Sequence, residues 1–292
     1  MEQFLIITNK EKDEDFIITK RIAAYIKRAG KQATISYVSS FEKNSFTDVT
    51  TIPKGIECAI VLGGDGTIIH AANDLMVYNI PILGVNLGTL GFLAEIEEQH
   101  VNDALDCLFK DEFRLETRMM IQGNVLNGTR DSAENDSMAT GYALNDIVVT
   151  RKGFSRIISI RIYVNDELVD DYRGDGVIIS TPTGSTGYNL SAGGPVVIPK
   201  ASALVITPIC PHSLNARSIV VSAEDIIKVI VGKSKKTQEA EAIATFDGGK
   251  VVDLETEDAI IINRAKYDTK LIKLNHTNIF EILRSKLGRN ED

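Results

Sequence analysis

The chain has 292 residues, of which 43% are hydrophobic and 25% are charged, so it can bury a substantial core and is long enough for two domains. Its 32 basic and 40 acidic side chains give a formal net charge of −8, and only 6% of the residues are aromatic. This composition argues against a general nucleic-acid binder. No segment approaches the roughly 18 uninterrupted apolar residues of a membrane span, and the first residues lack a secretory signal pattern. We therefore expect a cytoplasmic protein that binds neither nucleic acid nor a membrane.

The cysteine and histidine residues do not indicate a disulfide framework or a protein metal site. The three cysteines, Cys58, Cys107 and Cys210, lie far apart and are odd in number, which favours reduced thiols. The four histidines show no metal-ligand spacing with one another or with a cysteine. We therefore predict no metal-ligating residues of the protein itself.

The first part of the chain alternates strands with helices. Short apolar runs predict strands at 4–7, 33–38, 58–62 and 80–85, and amphipathic spacing predicts helices at 13–29 and 101–109. A polar connection covers 39–55. This alternation is typical of a parallel sheet with helices on both faces, in which ligands bind at the carboxyl ends of the strands.

From about residue 117 the pattern changes to many short strands. Predicted strands lie at 119–128, 142–150 and 158–164, and more follow between 203 and 264, with a hairpin turn at 247–249. The polar segment 129–140 is predicted to be an exposed loop, and 279–287 a short amphipathic helix. We predict an α/β domain at 1–118, joined by the C-terminal tail 277–292, and a β-sandwich-like domain at 119–276.

The sequence Gly-Gly-Asp-Gly-Thr at 63–67 lies between the predicted strand at 58–62 and a helical stripe of apolar residues. A strand, a glycine turn and a helix in this order bring backbone N–H groups together at a helix N-terminus, which favours a phosphate. Asp65 would repel a phosphate directly. It is better placed to hold a phosphate-bound metal ion or to accept a proton from an attacking hydroxyl. The alternative is a tight turn in which Asp65 only caps the helix.

Two further stretches carry glycines next to predicted strands. In Asn-Leu-Gly-Thr-Leu-Gly-Phe-Leu at 86–93, Gly88 and Gly91 either form a second ligand loop or only a tight turn with core side chains. The run 173–195 combines a buried strand with clusters of glycine and small hydroxyl residues, a surface that lets sugars and phosphates approach the backbone. We discount a flexible linker there, because Pro182, Tyr188 and Pro195 interrupt it.

Taken together, these motifs resemble the NAD kinase family in order and spacing over most of the chain. The resemblance rests on five segments: 63–67, 86–93, Asn145-Asp146, 174–194 and 208–214. It implies transfer of a phosphoryl group from ATP to the adenosine 2′-hydroxyl of NAD, with Mg²⁺ carried mainly by the nucleotide, giving NADP. It also implies a Rossmann-like or phosphofructokinase-like N-terminal α/β domain, a C-terminal β-sandwich-like domain and a homo-oligomer, either dimer or tetramer.

The same resemblance implies roles for individual residues. Asp65 would be the catalytic acidic residue near the attacking 2′-hydroxyl, Gly66 and Thr67 would help form the phosphate-binding floor, and Phe92 would line the adenine pocket. The remaining positions would contact NAD: Asn145, Asp146, Asp175, Thr183, Thr186, Gly187, Tyr188, Ser191 and, from a neighbouring subunit, Cys210. Asp146 stands where the family has Glu. Arg173 is a further candidate for a ligand phosphate, or a solvated arginine paired with an acidic side chain.

Three alternatives remain at this stage. A lipid kinase of the diacylglycerol kinase type shares the Gly-Gly-Asp-Gly-Thr loop but needs an apolar acceptor channel, whereas 181–191 is polar. A 6-phosphofructokinase-like enzyme would need a basic cluster for a sugar phosphate. A non-catalytic NAD-binding regulator would not need a carboxylate at Asp65.

Overall fold

A computed structural model describes residues 1–38, 52–88, 91–128, 139–153, 157–213, 215–233, 241–274 and 279–288. Most of the predicted polar connection at 39–55 and of the predicted loop at 129–140 lies outside these ranges. The chain divides into a first unit, 1–117 with 269–292, and a second unit, 118–268. Among the described residues, no helix is long and apolar enough to cross a membrane.

The first unit is an α/β sheet structure. Its elements are β1 (Gln3–Asn9), α1 (Ile17–Arg28), β2 (Gln32–Val38), β3 (Cys58–Gly63), α2 (Asp65–Leu75), β4 (Ile82–Asn86), β5 (Ile96–Glu97) and α3 (Val101–Phe109). The strands are parallel in the order β4-β3-β1-β2, and β5 adds to β4. Because Thr8 pairs with Leu62 and Gly63 with Asn86, the carboxyl ends of β1, β3 and β4 lie side by side. Their following loops therefore meet at one edge of the sheet.

The second unit is built from antiparallel strands. In chain order the elements are β6 (Arg114–Leu126, which starts in the first unit), β7 (Ala139–Ala143), β8 (Asp146–Arg151), β9 (Ile158–Val164), β10 (Glu167–Gly174), β11 (Gly176–Ser180), α4 (Tyr188–Ser191), β12 (Ala203–Ile209), β13 (Ile219–Ser222), β14 (Ile227–Gly232), β15 (Ala242–Phe246), β16 (Lys250–Leu254) and β17 (Ala259–Lys273). One sheet has the order β13-β12-β11-β8-β15-β16, and β10-β9-β14-β17 belong to another.

The two sheets of the second unit share one apolar core. Alternate residues of β9 and β14, such as Ile160 and Val229, and of β8 and β11, such as Val149 and Val177, are fully buried in it. This packing of alternate side chains from two antiparallel sheets is that of a β-sandwich. The predicted fold class, α/β followed by a β-sandwich-like domain, is confirmed.

The chain returns to the first unit at Thr269, within β17 rather than at 277. Leu271 pairs in parallel with Ile82 of β4, and α5 (Ile279–Leu287) follows. β17 is one continuous strand whose last residues belong to the first unit. No change in amino-acid composition therefore marks the boundary between the units at Thr269.

Two other element boundaries differ from the sequence prediction. The first helix starts at Ile17 instead of 13, because the buried Asp13 carboxylate accepts hydrogen bonds from the backbone N–H groups of Ile18 and Thr19, both at 2.9 Å. The predicted strand 142–150 is two strands, β7 and β8, interrupted at Leu144 and Asn145.

Candidate active site

The Gly-Gly-Asp-Gly-Thr loop connects β3 to α2 at the carboxyl edge of the first unit's sheet. Gly64 is the extended N-cap residue and Asp65 is the first residue of the helix. No described side chain caps this helix start, and a Cβ atom placed on Gly66 would meet no described atom within 4 Å, so there is free space beside this residue. Uncapped N–H groups at a helix start are suited to a phosphate.

The Asp65 carboxylate is held by the second glycine loop. The backbone N–H of Phe92 donates to Asp65 Oδ2 at 2.7 Å and that of Leu93 to Oδ1 at 3.1 Å. A Cβ atom on Gly91 would lie 1.8 Å from Oδ1, so the carboxylate occupies the space that a side chain there would need. These bonds fix the carboxylate toward residues 91–93, in contrast to the alternative in which Asp65 only caps its own helix.

The Phe92 side chain is half-buried and contacts the C-terminal helix of the same unit. The Lys286 ammonium of α5 lies 5.4 Å from the centroid of the Phe92 ring, within the range of a cation–π interaction. The backbone of Phe92 therefore holds Asp65 while its ring is covered by a basic residue.

Lys12 lies beside the same loop, although the sequence analysis did not single it out. Its Nζ atom is 3.1 Å from the position that a Cβ atom of Gly64 would occupy. The turn that carries it is fixed, since the N–H groups of Lys12 and Asp13 both donate to the Asn9 carbonyl at 3.1 Å. The pairing of β1 with β3 brings this turn next to the glycine loop, which no local sequence pattern reveals.

In the second unit, Asn145 and Asp146 lie at the break between β7 and β8. The Asp247 carboxylate accepts hydrogen bonds from the backbone N–H groups of Leu144 at 2.7 Å, Asn145 at 2.8 Å and Asp146 at 3.1 Å. Because these N–H groups donate to a side chain instead of to a neighbouring strand, the predicted continuous strand is interrupted here. The sequence pattern indicates Asp247 only as part of a hairpin turn.

Asn145 is fixed from its other side as well. Its carbonyl accepts a hydrogen bond from the Thr181 N–H at 2.8 Å, and a Cβ atom on Gly184 would lie 2.1 Å from that carbonyl oxygen. The Asn145 Oδ1 atom is buried and finds no hydrogen-bond partner among the described residues. A buried acceptor without a partner is costly, so a ligand donor would relieve that cost.

A cavity of about 410 Å³ opens next to this pair of residues. It is lined by Asn145, Asp146, Val148, Thr150, Tyr188, Thr245, Asp247 and Gly248. Burial, followed by the negative charge of Asp247, raises the pKa of the Asp146 carboxyl to about 7. This carboxyl group therefore changes its charge near neutral pH.

The segment 181–195 is an anchored loop rather than a linker. Thr183 is buried and accepts a hydrogen bond from the buried Arg118 guanidinium at 3.3 Å. The Asn189 side chain donates to the carbonyls of Ser185 and Pro195 at 3.1 and 3.0 Å. The loop therefore holds a defined shape.

The Tyr188 side chain lies near several of the other predicted residues of this unit. Partial burial raises the pKa of its phenol, and electrostatic interactions with Cys210, Asp175 and Asp146 raise it further. The residue is 47% exposed, so part of its side chain is accessible to a ligand. Thr186 and Gly187 immediately precede it, and the Asn145 side-chain nitrogen lies 3.5 Å from the Cβ position of Gly187.

The predicted residues at the ends of this run differ in their surroundings. Asp175 forms an ion pair with Arg151, with Nε to Oδ1 at 2.7 Å, a partner that the sequence analysis missed. Arg173, Ser191 and Cys210 are exposed, and Cys210 has a left-handed backbone with φ of 44°. Arg173 does not line the cavity beside Asn145. Asp65, Gly66, Thr67 and Phe92 belong to the first unit, and all the other predicted site residues to the second.

Comparison with known proteins assigns the chain to a family. Residues 4–113 match the model of the ATP-NAD kinase N-terminal domain, and residues 144–274 match that of the C-terminal domain. The chain is 52% identical over 290 residues to an NAD kinase of Lachnoclostridium phytofermentans, and 41% identical over 290 residues to one of Agathobacter rectalis. Each alignment covers 99% of both chains.

Solved structures agree with this assignment. An NAD kinase from Archaeoglobus fulgidus in complex with ATP is 28% identical with a TM-score of 0.74, and the similarity covers 98% of each chain. Yeast NADH kinase complexed with NADH shares the fold, at 22% identity and a TM-score of 0.82, over 100% of this chain and 89% of the other. The matched domains, in this order and over this length, show that the chain belongs to the NAD kinase family.

Proposed function

We propose that this chain transfers the γ-phosphoryl group of ATP to the adenosine 2′-hydroxyl of NAD, giving NADP and ADP, with Asp65 as the catalytic residue. The observation that carries the proposal is the Asp65 carboxylate, placed at the start of α2 and oriented by the N–H groups of Phe92 and Leu93. Each of its oxygens accepts one backbone hydrogen bond and keeps a second lone pair, which can accept a hydrogen bond from a substrate hydroxyl.

In the proposed reaction, the 2′-oxygen forms a bond to the γ-phosphorus while the bond from that phosphorus to the β–γ bridging oxygen breaks. The electron pair of the broken bond leaves with ADP, and the hydroxyl proton passes to Asp65. Phosphoryl transfer depends mainly on positioning and charge stabilisation, so an oriented carboxylate and a phosphate floor are the parts that the protein must supply. Backbone N–H groups at Gly66 and Thr67 form this floor.

The donor phosphates carry magnesium in this proposal. Among the described residues, no group of three or more His, Cys, Asp or Glu side chains is arranged to hold a metal ion. Protein sites commonly bind Mg²⁺ through one or two carboxylates together with substrate phosphates, and Asp65 is the carboxylate next to the phosphate floor. Bound there, Mg²⁺ would neutralise the negative charge of the phosphates.

The second unit supplies the acceptor-binding residues in this proposal. The Oδ1 atom of Asn145, which has no partner among the described residues, suits a hydrogen-bond donor of the adenosine part of NAD, and the exposed aromatic side chain of Tyr188 suits stacking on a ring. We assign Asp146, Asp175, Thr183, Thr186, Gly187 and Ser191 to contacts with NAD, and Cys210 to a neighbouring subunit's site in a cytoplasmic homo-oligomer. Family membership favours NAD over the diacylglycerol and sugar-phosphate acceptors, and the oriented Asp65 favours an enzyme over a regulator.

The test is a coupled assay of the purified chain with NAD, ATP and Mg²⁺, in which an NADP-specific dehydrogenase reports the product. We expect NADP formation that requires all three components, and no phosphorylation of diacylglycerol presented in detergent micelles. Binding of NAD without any NADP formation would contradict the proposed reaction and would favour a regulator.

We also expect Lys12→Met to raise the KM for ATP about tenfold, with the KM for NAD unchanged. The Lys12 ammonium lies at the glycine of the phosphate loop, and a hydrogen bond to a charged group contributes about 1.5–3 kcal/mol. The matched control is Lys10→Met, which removes an exposed ammonium two residues away on the same turn. Initial rates over a range of ATP concentrations give the KM for ATP of each variant. Equal KM values for both variants would exclude a role of Lys12 in donor binding.

A further inference from the structure

The turn between β15 and β16 touches the break between β7 and β8 through a set of four hydrogen bonds. Asp247 donates its own N–H to the Asp146 carbonyl at 3.0 Å, and its carboxylate accepts from the N–H groups of Leu144, Asn145 and Asp146. We call this set the Asp247 clamp. Asp247 adopts a left-handed backbone with φ of 50°, and Gly248 follows with φ of 67°. Asp and Gly tolerate this conformation, so the tight turn can present the carboxylate inward.

The clamp acts at a break between strands: Leu144 and Asn145 belong to neither β7 nor β8, and Asp146 is the first residue of β8. Three successive N–H groups at a strand break would otherwise be unsatisfied and partly buried, which is costly. A single carboxylate satisfies all three, and Thr181 satisfies the Asn145 carbonyl from the other side. With its N–H and its carbonyl both bonded, the backbone of Asn145 is held in place, which lowers the entropic cost of presenting its side chain to a ligand.

The same carboxylate also sets the charge of its neighbour. Asp247 and Asp146 both line the 410 Å³ cavity, and in its described wall the other ionisable side chain is Tyr188. Burial is the first cause of the raised pKa of Asp146, and the charge of Asp247 is the second. The phenol of Tyr188 has a raised pKa and stays neutral near pH 7, so Asp146 and Asp247 account for the charge at this wall.

We propose that Asp247 is a positioning residue for the nucleotide acceptor: it orients Asn145 and controls the charge of Asp146, without itself taking part in phosphoryl transfer. This inference rests on the proposed function, because it takes the cavity beside Asn145 to receive part of NAD. Sugar hydroxyls donate hydrogen bonds to an ionised carboxylate, so NAD binds best when Asp146 is ionised. Binding therefore strengthens as the pH rises through the titration of Asp146.

The experiment measures the Kd of NAD by calorimetry at several pH values between 6 and 8, without ATP, so that it does not depend on turnover. For the wild type, a single group titrating near 7 should lower the Kd about tenfold from pH 6 to pH 8. Asp247→Asn should raise the Kd at pH 8 about tenfold, because the amide cannot accept all three N–H donors. It should also move the midpoint of the pH dependence to lower pH, because the neighbouring charge is gone.

Asp253→Asn is the matched control, since Asp253 lies on β16 of the same hairpin, is exposed and pairs with Lys152. It should bind NAD as the wild type does at each pH. If Asp247→Asn is too unstable to purify, Asp146→Asn is the second variant to measure. Asp146→Asn should make the Kd of NAD independent of pH between 6 and 8. A wild-type midpoint and Kd in Asp247→Asn, or an unchanged pH dependence in Asp146→Asn, would overturn the inference. A different result tests the proposed function: if NAD binds but no NADP forms, the proposed phosphoryl transfer is wrong, whatever the binding data say about Asp247.

Discussion

Replacing Asp65 by Asn is expected to lower kcat about a thousandfold while the Kd of NAD changes by less than about threefold. A positioned general base contributes about 10²–10⁴ in rate, and the amide cannot take the hydroxyl proton. The amide nitrogen also cannot accept a hydrogen bond, so one of the two backbone donors, Phe92 or Leu93, loses its acceptor. The change in kcat corresponds to about 4 kcal/mol of transition-state stabilisation. Steady-state kinetics and calorimetry with NAD measure the two quantities.

The matched control is Asp103→Asn, since Asp103 is likewise an aspartate in the first turn of a helix, α3, but is exposed. It should leave kcat unchanged, which separates the chemistry of Asp65 from a general effect of removing a helix-start carboxylate. An Asp65→Asn variant with a kcat within tenfold of the wild type would exclude Asp65 as the proton acceptor.

Replacing Gly91 by Ala is expected to lower kcat about a hundredfold, although it leaves the Asp65 side chain chemically intact. The new methyl group would lie 1.8 Å from Asp65 Oδ1, so either the carboxylate or the loop must move. A misplacement of about 1 Å at a reacting group can cost about 10²-fold in rate. Kinetics at saturating ATP and NAD measure the effect, and thermal unfolding checks that the variant is folded.

Gly88→Ala provides the comparison within the same loop. A Cβ atom on Gly88 would meet nothing within 4 Å, so this variant should keep a kcat within about twofold of the wild type. Equal activity of Gly91→Ala and Gly88→Ala would show that the contact between Asp65 and the second loop is not needed for catalysis.

Much of the fold followed from local patterns, because burial imposes a period on the sequence. The apolar run at 58–62 predicted β3, and the helical stripe after Asp65 predicted α2. The alternation at 158–164 predicted β9. Two predicted boundaries failed because a polar side chain sets them. Helix α1 begins at Ile17 instead of 13 because the Asp13 carboxylate accepts hydrogen bonds from the N–H groups of Ile18 and Thr19. Asp247 likewise interrupts the predicted strand at 142–150.

The sequence by itself determined the order of the two domains, their fold classes, the glycine turn between β3 and α2 and the family, since each depends on contiguous residues or on motif order. Only the tertiary structure decided which side chains support the predicted site residues. Lys12 reaches Gly64 because β1 pairs with β3, and Arg151 reaches Asp175 because β8 pairs with β11. Asp247 reaches Asn145 because β15 pairs with β8. Such contacts join residues that are distant along the chain, and strand pairing, which no local pattern specifies, brings them together.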